Sequence, residues 1–411
     1  MLERMKPEES PCAERNERFD PWENFPCTVA IDVTSYLASN TGVGVTVGGL
    51  VNALISASGA DKLKLCAVST KRDAASLLKK RFPHSSVCVR PFPLKLLAPM
   101  VDLSNLLKAE IIFQDADVFH AGAFLVPASK KTAIVATIHD VTPILFPRFH
   151  LPSNLYTARQ LTRRCERADL VIVPSHSTRK DLEHFGIVPP QKVRVIPLAA
   201  DASFRPSIEQ PSKLLPDLDV DCSYLLTVGT LEPRKNLPRL FEAFRLLKDR
   251  YHIPHKLVVA GPGGWKNQDV FQSVRRLDLS NAIVFAGYVP REVLDSLYRH
   301  AAMLVYPSLY EGFGLPPLEA MASGCPVAVS STSSLPEVVG EAGVYFNPMD
   351  VEDIAQAIYQ ILKSSDLRER LVNLGIMQSG KFSWRKTAEA TRGVYAEAYE
   401  LRQLRHVYHV L

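Results

Sequence analysis

The chain has 411 residues, of which 46% are hydrophobic, enough for two domains with real cores. Its net charge of +5 arises from 48 basic and 43 acidic residues shared evenly between the halves, so no nucleic-acid partner is expected. No run of about 18 apolar residues occurs, which predicts no membrane-spanning helix. Seven scattered cysteines without a C-x-x-C pair argue against a disulfide framework or zinc site, and for a cytoplasmic setting.

Residues 1–26 are charged and lack an apolar signal core, so a flexible tail is expected there. Apolar runs then recur at 27–33, 63–68, 117–121, 132–139, 170–175 and 193–198, with helical segments between them. Such strands alternating with helices predict a parallel sheet covered on both faces, a domain spanning 27–203. "TGVGV" (41–45) supplies Gly42 and Gly44 but not the third glycine of a dinucleotide fingerprint, which speaks against a NAD oxidoreductase. Residues 71–95 hold seven Lys/Arg against Asp73 alone, interleaved with Leu77, Leu78, Phe82 and Phe92. That composition suits an anionic membrane surface, with Lys79, Lys80 and Arg81 its densest part, and equally a solvated helix packed through its leucines. "IHD" places His139 and Asp140 at the carboxyl end of a strand, and "SHSTRKDL" begins a helix near Ser175 and Ser177.

Prolines and acids in 201–222 mark a linker, placed at 204–222. The pattern restarts with apolar runs at 224–229, 256–261, 282–287, 303–308, 326–331 and 343–346, a second wound domain over 223–384. Two such sheets in one chain leave a cleft at their carboxyl ends. Strand ends there carry Gly229 with Arg234 and Lys235 beyond it, Gly261 in "GPGG", and Tyr288 and Val289 in "GYVP". Adjacent cations after a strand-end glycine suit a diphosphate, and Tyr288–Val289 can present backbone groups to a flat base. In "SLYEGFGLPPLEAMASG" (308–324), Glu311 and Glu319 bracket Gly312, Phe313, Gly314, Leu315 and two prolines. Prolines suit a first helical turn, so the loop amides and helix N-terminus form a natural anion site. Glu319 also fits as a first-turn acid that complements the helix dipole. The segment 385–411 reads as a helix that packs back on the first domain.

"VGTLEPRKNLPRLFEAF", the stretch from "VFAGYVPREVLDSLYRH" through "PSLYEGFGLPPLEAMASGCPVAVSS" to "LPEVVGEAG", and "FSWRKTA" are together similar to the nucleotide-sugar half of retaining glycosyltransferases of family four. "TIHDVTPILFP", "VPSHSTRKDL" and "VIPLAAD" resemble the acceptor half. One departure is Leu198 and Ala199, where the family often has an asparagine–glycine pair. The resemblance implies the α/β GT-B fold: two facing Rossmann-like, doubly wound parallel-sheet domains with an interdomain cleft. It implies that Glu319 holds the nucleotide ribose, Glu311 lies near the transferred sugar, and His139 touches the sugar hydroxyls. Arg234 and Lys235 would hold the diphosphate, Gly44 would close over it, and the amides around Phe313, Gly314 and Leu315 would face sugar and phosphates. No D-x-D motif stands at a strand end, so neither metal nor other cofactor is expected. "TIHDVTPILFP" and "GPGGW" resemble members that use GDP-mannose in bacterial surface polysaccharide assembly; UDP- and dTDP-sugars remain alternatives. The partners implied are a nucleotide-sugar donor and a saccharide or lipid-linked saccharide acceptor. A non-catalytic nucleotide-sugar sensor is disfavoured by the presence of both glutamates, both cations and His139.

Overall fold

A computed structural model describes residues 27–38, 42–56, 62–103, 107–113, 116–123, 125–206 and 223–410, with 406–410 in backbone only. The expected tail, and residues 207–222 of the expected linker, lie outside the described residues. The first sheet contains β1 (Val29–Asp32), β2 (Leu63–Val68), β3 (Ser86–Arg90), β4 (Val118–Ala121), β5 (Ala133–Thr137), β6 (Leu170–Val173) and β7 (Val193–Val195). The second contains β8 (Tyr224–Val228), β9 (Lys256–Ala260), β10 (Ile283–Gly287), β11 (Met303–Tyr306), β12 (Val327–Ser330) and β13 (Gly343–Phe346). Their orders are β3-β2-β1-β4-β5-β6-β7 and β10-β9-β8-β11-β12-β13, and every pairing is parallel.

Alternate residues on each strand serve opposite faces, because side chains on a strand alternate. On β1, Val29 and Ile31 enter one core and Ala30 the other. On β8, Leu225 and Leu226 divide in the same way. Leu237, Leu240, Phe241, Phe244 and Leu247 form the buried stripe of the helix Leu237–Tyr251, which covers one face of the second sheet. The sheets reverse strand order between β1 and β4, and between β8 and β11, and ligands of wound sheets bind at the carboxyl ends beside such switch points.

The helix Trp384–Val410 returns to the first sheet, where Ala388, Val394, Tyr395 and Ala398 join the core around Val29 and Ile31. Trp384 lies flat on Gly49, where a Cβ would come within 2.3 Å of the indole. The Tyr395 hydroxyl meets His120 Nδ1 at 2.7 Å, and Arg402 and Arg405 pair with the buried Asp169.

The stretch 71–95 is not one amphipathic surface. It divides into the helix Ala74–Arg81 and β3, which pairs with β2 at the sheet edge. Leu78 and Phe82 are buried in the core, which removes them from any membrane face. Lys79, Lys80 and Arg81 are exposed on the last helical turn, and the exposed apolar side chains nearby in sequence are Leu77, Phe92, Leu96 and Met100.

The two sheets face each other across short polar contacts. Ser175 Oγ donates to the Gly312 carbonyl at 2.7 Å. Glu337 of the second domain accepts from the His176 and Ser177 amides at 2.8 and 2.7 Å, capping a helix of the first. Beside these Tyr310 donates to Asp181 at 2.5 Å, and elsewhere Trp265 Nε1 donates to the Phe149 carbonyl at 2.6 Å.

Candidate active site

β8 ends at Val228, Gly229 follows it, and a 3-10 turn, Pro233–Lys235, comes next. Asn236 then adopts φ 57°, and its side-chain amide donates to the carbonyls of Pro307 and Pro348 at 3.1 and 2.7 Å. This tie fixes the turn against the end of β11 and sets Arg234 and Lys235 beside Glu311. Lys235 Nζ lies 2.6 Å from Glu311 Oε1, and Arg234 Nη1 lies 2.8 Å from Glu311 Oε2. Arg234 also donates to Glu232 at 2.5 Å and to the Tyr310 carbonyl at 2.7 Å. The Tyr306 hydroxyl, 2.7 Å from Lys235 and 3.0 Å from Glu311, closes the cluster. Burial alone would raise the Glu311 pKa, but the two cations outweigh it and hold the carboxyl at about 2.

Glu319 has a different environment. It lies in the helix Leu315–Ala322, 9% exposed, and accepts from the Tyr298 hydroxyl at 3.0 Å. Burial raises its pKa to about 7, and the tyrosine only partly offsets this. The two glutamates are therefore set about five pH units apart, one a fixed anion and one poised near neutrality.

His139 lies two residues beyond β5 on the facing domain. Its Nε2 donates to the Gly122 carbonyl at 2.8 Å, and burial lowers its pKa, so the ring is neutral with Nδ1 as an acceptor. Gly312 presses on this residue: a Cβ there would stand 1.9 Å from the His139 carbonyl oxygen. No other residue fits, and this contact brings His139 and the Glu311 loop together.

The remaining sequence-derived residues divide by surroundings. Among the described residues no acceptor takes the amides of Phe313, Gly314 or Leu315, which open the helix Leu315–Ala322. Ser334 holds this loop by donating to the Glu311 and Phe313 carbonyls at 2.8 and 2.6 Å. The Phe313 ring itself is buried against Phe382. Gly229 lets the Lys235 stem cross it, since a Cβ would lie 2.9 Å from Lys235 Cε. Gly261 packs on Gly229, where a Cβ would come within 2.1 Å of the carbonyl oxygen. Tyr288 is exposed and Val289 half-buried just beyond β10. Gly42 and Gly44 stand in the first turn of the helix Gly42–Ser56, and Thr41 before them lies outside the described residues.

The model of glycosyl transferases group 1 matches residues 216–376, and that of glycosyltransferase family 4 matches residues 41–204. The chain is 35% identical over 283 residues to the O-antigen chain mannosyltransferase B of Escherichia coli, covering 68% of this chain and 74% of that protein. The chain belongs to glycosyltransferase family 4. It is also 30% identical over 237 residues to the O-antigen chain mannosyltransferase RfbU of Salmonella typhimurium, covering 58% of this chain and 63% of that one. A serotype-specific mannosyltransferase, WbdA of Escherichia coli, is 30% identical over 263 residues; these are 62% of this chain but only 32% of that protein. Among solved structures, sucrose-phosphate synthase from Thermosynechococcus elongatus superposes with a TM-score of 0.71 at 21% identity, covering 90% of this chain and 98% of that one. HepE of Anabaena in complex with UDP-glucose superposes with a TM-score of 0.68 at 20% identity, covering 88% and 97%. These two likenesses show the GT-B fold.

The glycosyltransferase transfers a sugar from a nucleotide-sugar donor to an acceptor, and its cleft contains partners that sequence reading missed. Tyr306 looks like the last residue of a buried strand, and only its hydroxyl at the sheet end reveals contact with Lys235 and Glu311. Glu232, two residues before Arg234, carries a visible signal: an acid and a base in one strand-end loop. Tyr298 and Ser334 reach the site from other helices and loops, with no local mark.

Proposed function

We propose that the glycosyltransferase moves a mannosyl residue from GDP-mannose to a saccharide or lipid-linked saccharide, with retention of configuration, in assembly of a surface polysaccharide. The 35% identity to an O-antigen chain mannosyltransferase over 74% of its length carries the choice of sugar. Breaking the sugar–phosphate bond builds negative charge on the leaving diphosphate. Lys235, Arg234 and the amides of Phe313, Gly314 and Leu315 are the groups to hold that charge. Glu319 accepts from ribose hydroxyls, and Nδ1 of His139 accepts from a sugar hydroxyl. Gly42 and Gly44 approach the phosphates from the acceptor domain, and Tyr288 and Val289 border the base. The exposed Lys79, Lys80 and Arg81 draw the acceptor domain to an anionic membrane where a lipid-linked acceptor is presented.

A panel of GDP-, UDP- and dTDP-sugars, with the product's anomeric configuration read by NMR, tests this. GDP-mannose should be consumed fastest and yield the α-linked product, and turnover should survive EDTA. Preference for a UDP- or dTDP-sugar, a β-linked product, or loss of activity in EDTA restored by magnesium would overturn the corresponding part.

A further inference from the structure

His150 completes a short strap on the acceptor domain, the 3-10 turn Pro147–Phe149, that crosses to the donor domain. The strap is pinned there at two carbonyls: Trp265 Nε1 donates to Phe149 at 2.6 Å, and Lys266 Nζ donates to Arg148 at 2.5 Å. The imidazole is 6% exposed, and its ring centroid lies 6.0 Å from that of Trp265. Its Nδ1 stands 3.4 Å from the side-chain nitrogen of Asn154. An amide nitrogen only donates, so Nδ1 is the acceptor and the proton of the neutral ring sits on Nε2. Burial favours that neutral form, opposed by Glu232 and Asp140 and aided by Arg234 and Lys266.

Nε2 is buried and has no partner among the described residues. A buried N–H without an acceptor is rare and costly, which points to an acceptor atom that arrives with a ligand. The ring feels the charge of Arg234, proposed to hold the diphosphate, and of Glu232, which pairs with that arginine. We propose that His150 Nε2–H donates to an oxygen of the donor's distal phosphate, making His150 a donor-binding residue supplied by the acceptor domain. This inference rests on Arg234 and Lys235 holding the diphosphate. It gives the strap a use: a donor bound to the second domain is gripped from the first only when the two domains meet.

Comparison of nucleoside diphosphate and monophosphate separates this contact from packing, because only the diphosphate carries the distal group. His150→Phe keeps a ring and removes the N–H; His150→Gln keeps an N–H. By calorimetry His150→Phe should weaken GDP binding about tenfold or more and leave GMP unchanged, while His150→Gln recovers part of the loss. Melting temperature without ligand should stay close to that of the parent in His150→Gln. Equal losses on GDP and GMP, or no loss on either, would overturn the proposal. Lys235→Met in the same assay locates the failure. If it loses GDP affinity while His150→Phe does not, the histidine assignment alone falls; if neither does, the phosphate site falls with it.

Discussion

Glu311 neutralises the two side chains proposed to bind the donor's phosphates, so a phosphate oxygen has to compete with its carboxylate. Glu311→Gln tests this. Its carboxylate meets Lys235 at 2.6 Å and Arg234 at 2.8 Å, with all three side chains at 11–13% exposure. Removing one partner of a buried ion pair costs about 3–5 kcal/mol, because it leaves uncompensated charge. For a domain of this size that lowers the melting temperature by roughly 6–20 °C. GDP then supplies the missing anion. It no longer displaces a carboxylate, and it gains about 1.5–3 kcal/mol per charge-assisted hydrogen bond, roughly 10–100-fold in affinity. Transfer should nonetheless collapse if Glu311 lies near the transferred sugar, as the family resemblance implies. The pH dependence has a definite sign. Glu311 is held at about 2, below its ordinary 4.5, so its stabilisation is full above pH 4.5 and is lost as pH falls toward 2. The variant should lack this acid-side loss. Thermal melts with and without GDP, calorimetry and a transfer assay read all of this. Unchanged or weaker GDP binding in Glu311→Gln would refute the reasoning.

Lys235→Met keeps the stem over Gly229 and removes the charge; kcat/KM for the nucleotide sugar should fall at least tenfold while the melting curve remains cooperative, and wild-type rates would remove Lys235 from the phosphate site. Glu319, raised to about 7 from 4.5, binds its proton more tightly folded than unfolded, so its contribution to stability is full below pH 4.5 and declines by about 3 kcal/mol as pH rises to 7. Nucleotide affinity should rise as pH passes 7 and the carboxylate forms. Glu319→Gln should flatten both trends, and a sloping affinity profile in the variant would assign the titration elsewhere. Substituting Lys79, Lys80 and Arg81 together by alanine should abolish salt-sensitive sedimentation with anionic liposomes, and equal pelleting of parent and variant would leave that turn an ordinary solvated surface.

Periodicity alone made most of the fold legible. Near-continuous apolar strands such as "LVIV" and "MLVY" admit few readings other than a parallel sheet buried on both faces. β3 escaped because "SVCVR" sits at the edge, where partial exposure weakens the apolar signal and the basic neighbours dominate the composition. At the site, spacing revealed which residues stand at strand ends, but not what they touch. The glycines show the limit. Gly312 and Gly261 read as places where backbone could approach a ligand, yet a Cβ on Gly312 would meet the His139 carbonyl and one on Gly261 would meet Gly229. Both partners are distant in sequence, and no local rule names them. Likewise Glu311 and Glu319 look equivalent in one short motif. Their separation into a fixed anion and a near-neutral acid comes from Arg234, Lys235 and Tyr298, each brought in by another element.

The charges of the cluster balance one another. Glu232, Glu311 and Lys235 are buried, Arg234 is largely covered, and the four charges sum to zero. A buried cluster that is neutral and hydrogen-bonded is tolerated, whereas two buried unpaired cations would be strongly destabilising. A diphosphate brings about two negative charges into this balance, so the cluster cannot accept it unchanged. Glu311 is the member that competes with it: its carboxylate takes both Lys235 and Arg234, while Glu232 keeps its own bond to Arg234. A donor diphosphate at Lys235 and Arg234 would then exchange one anion for another.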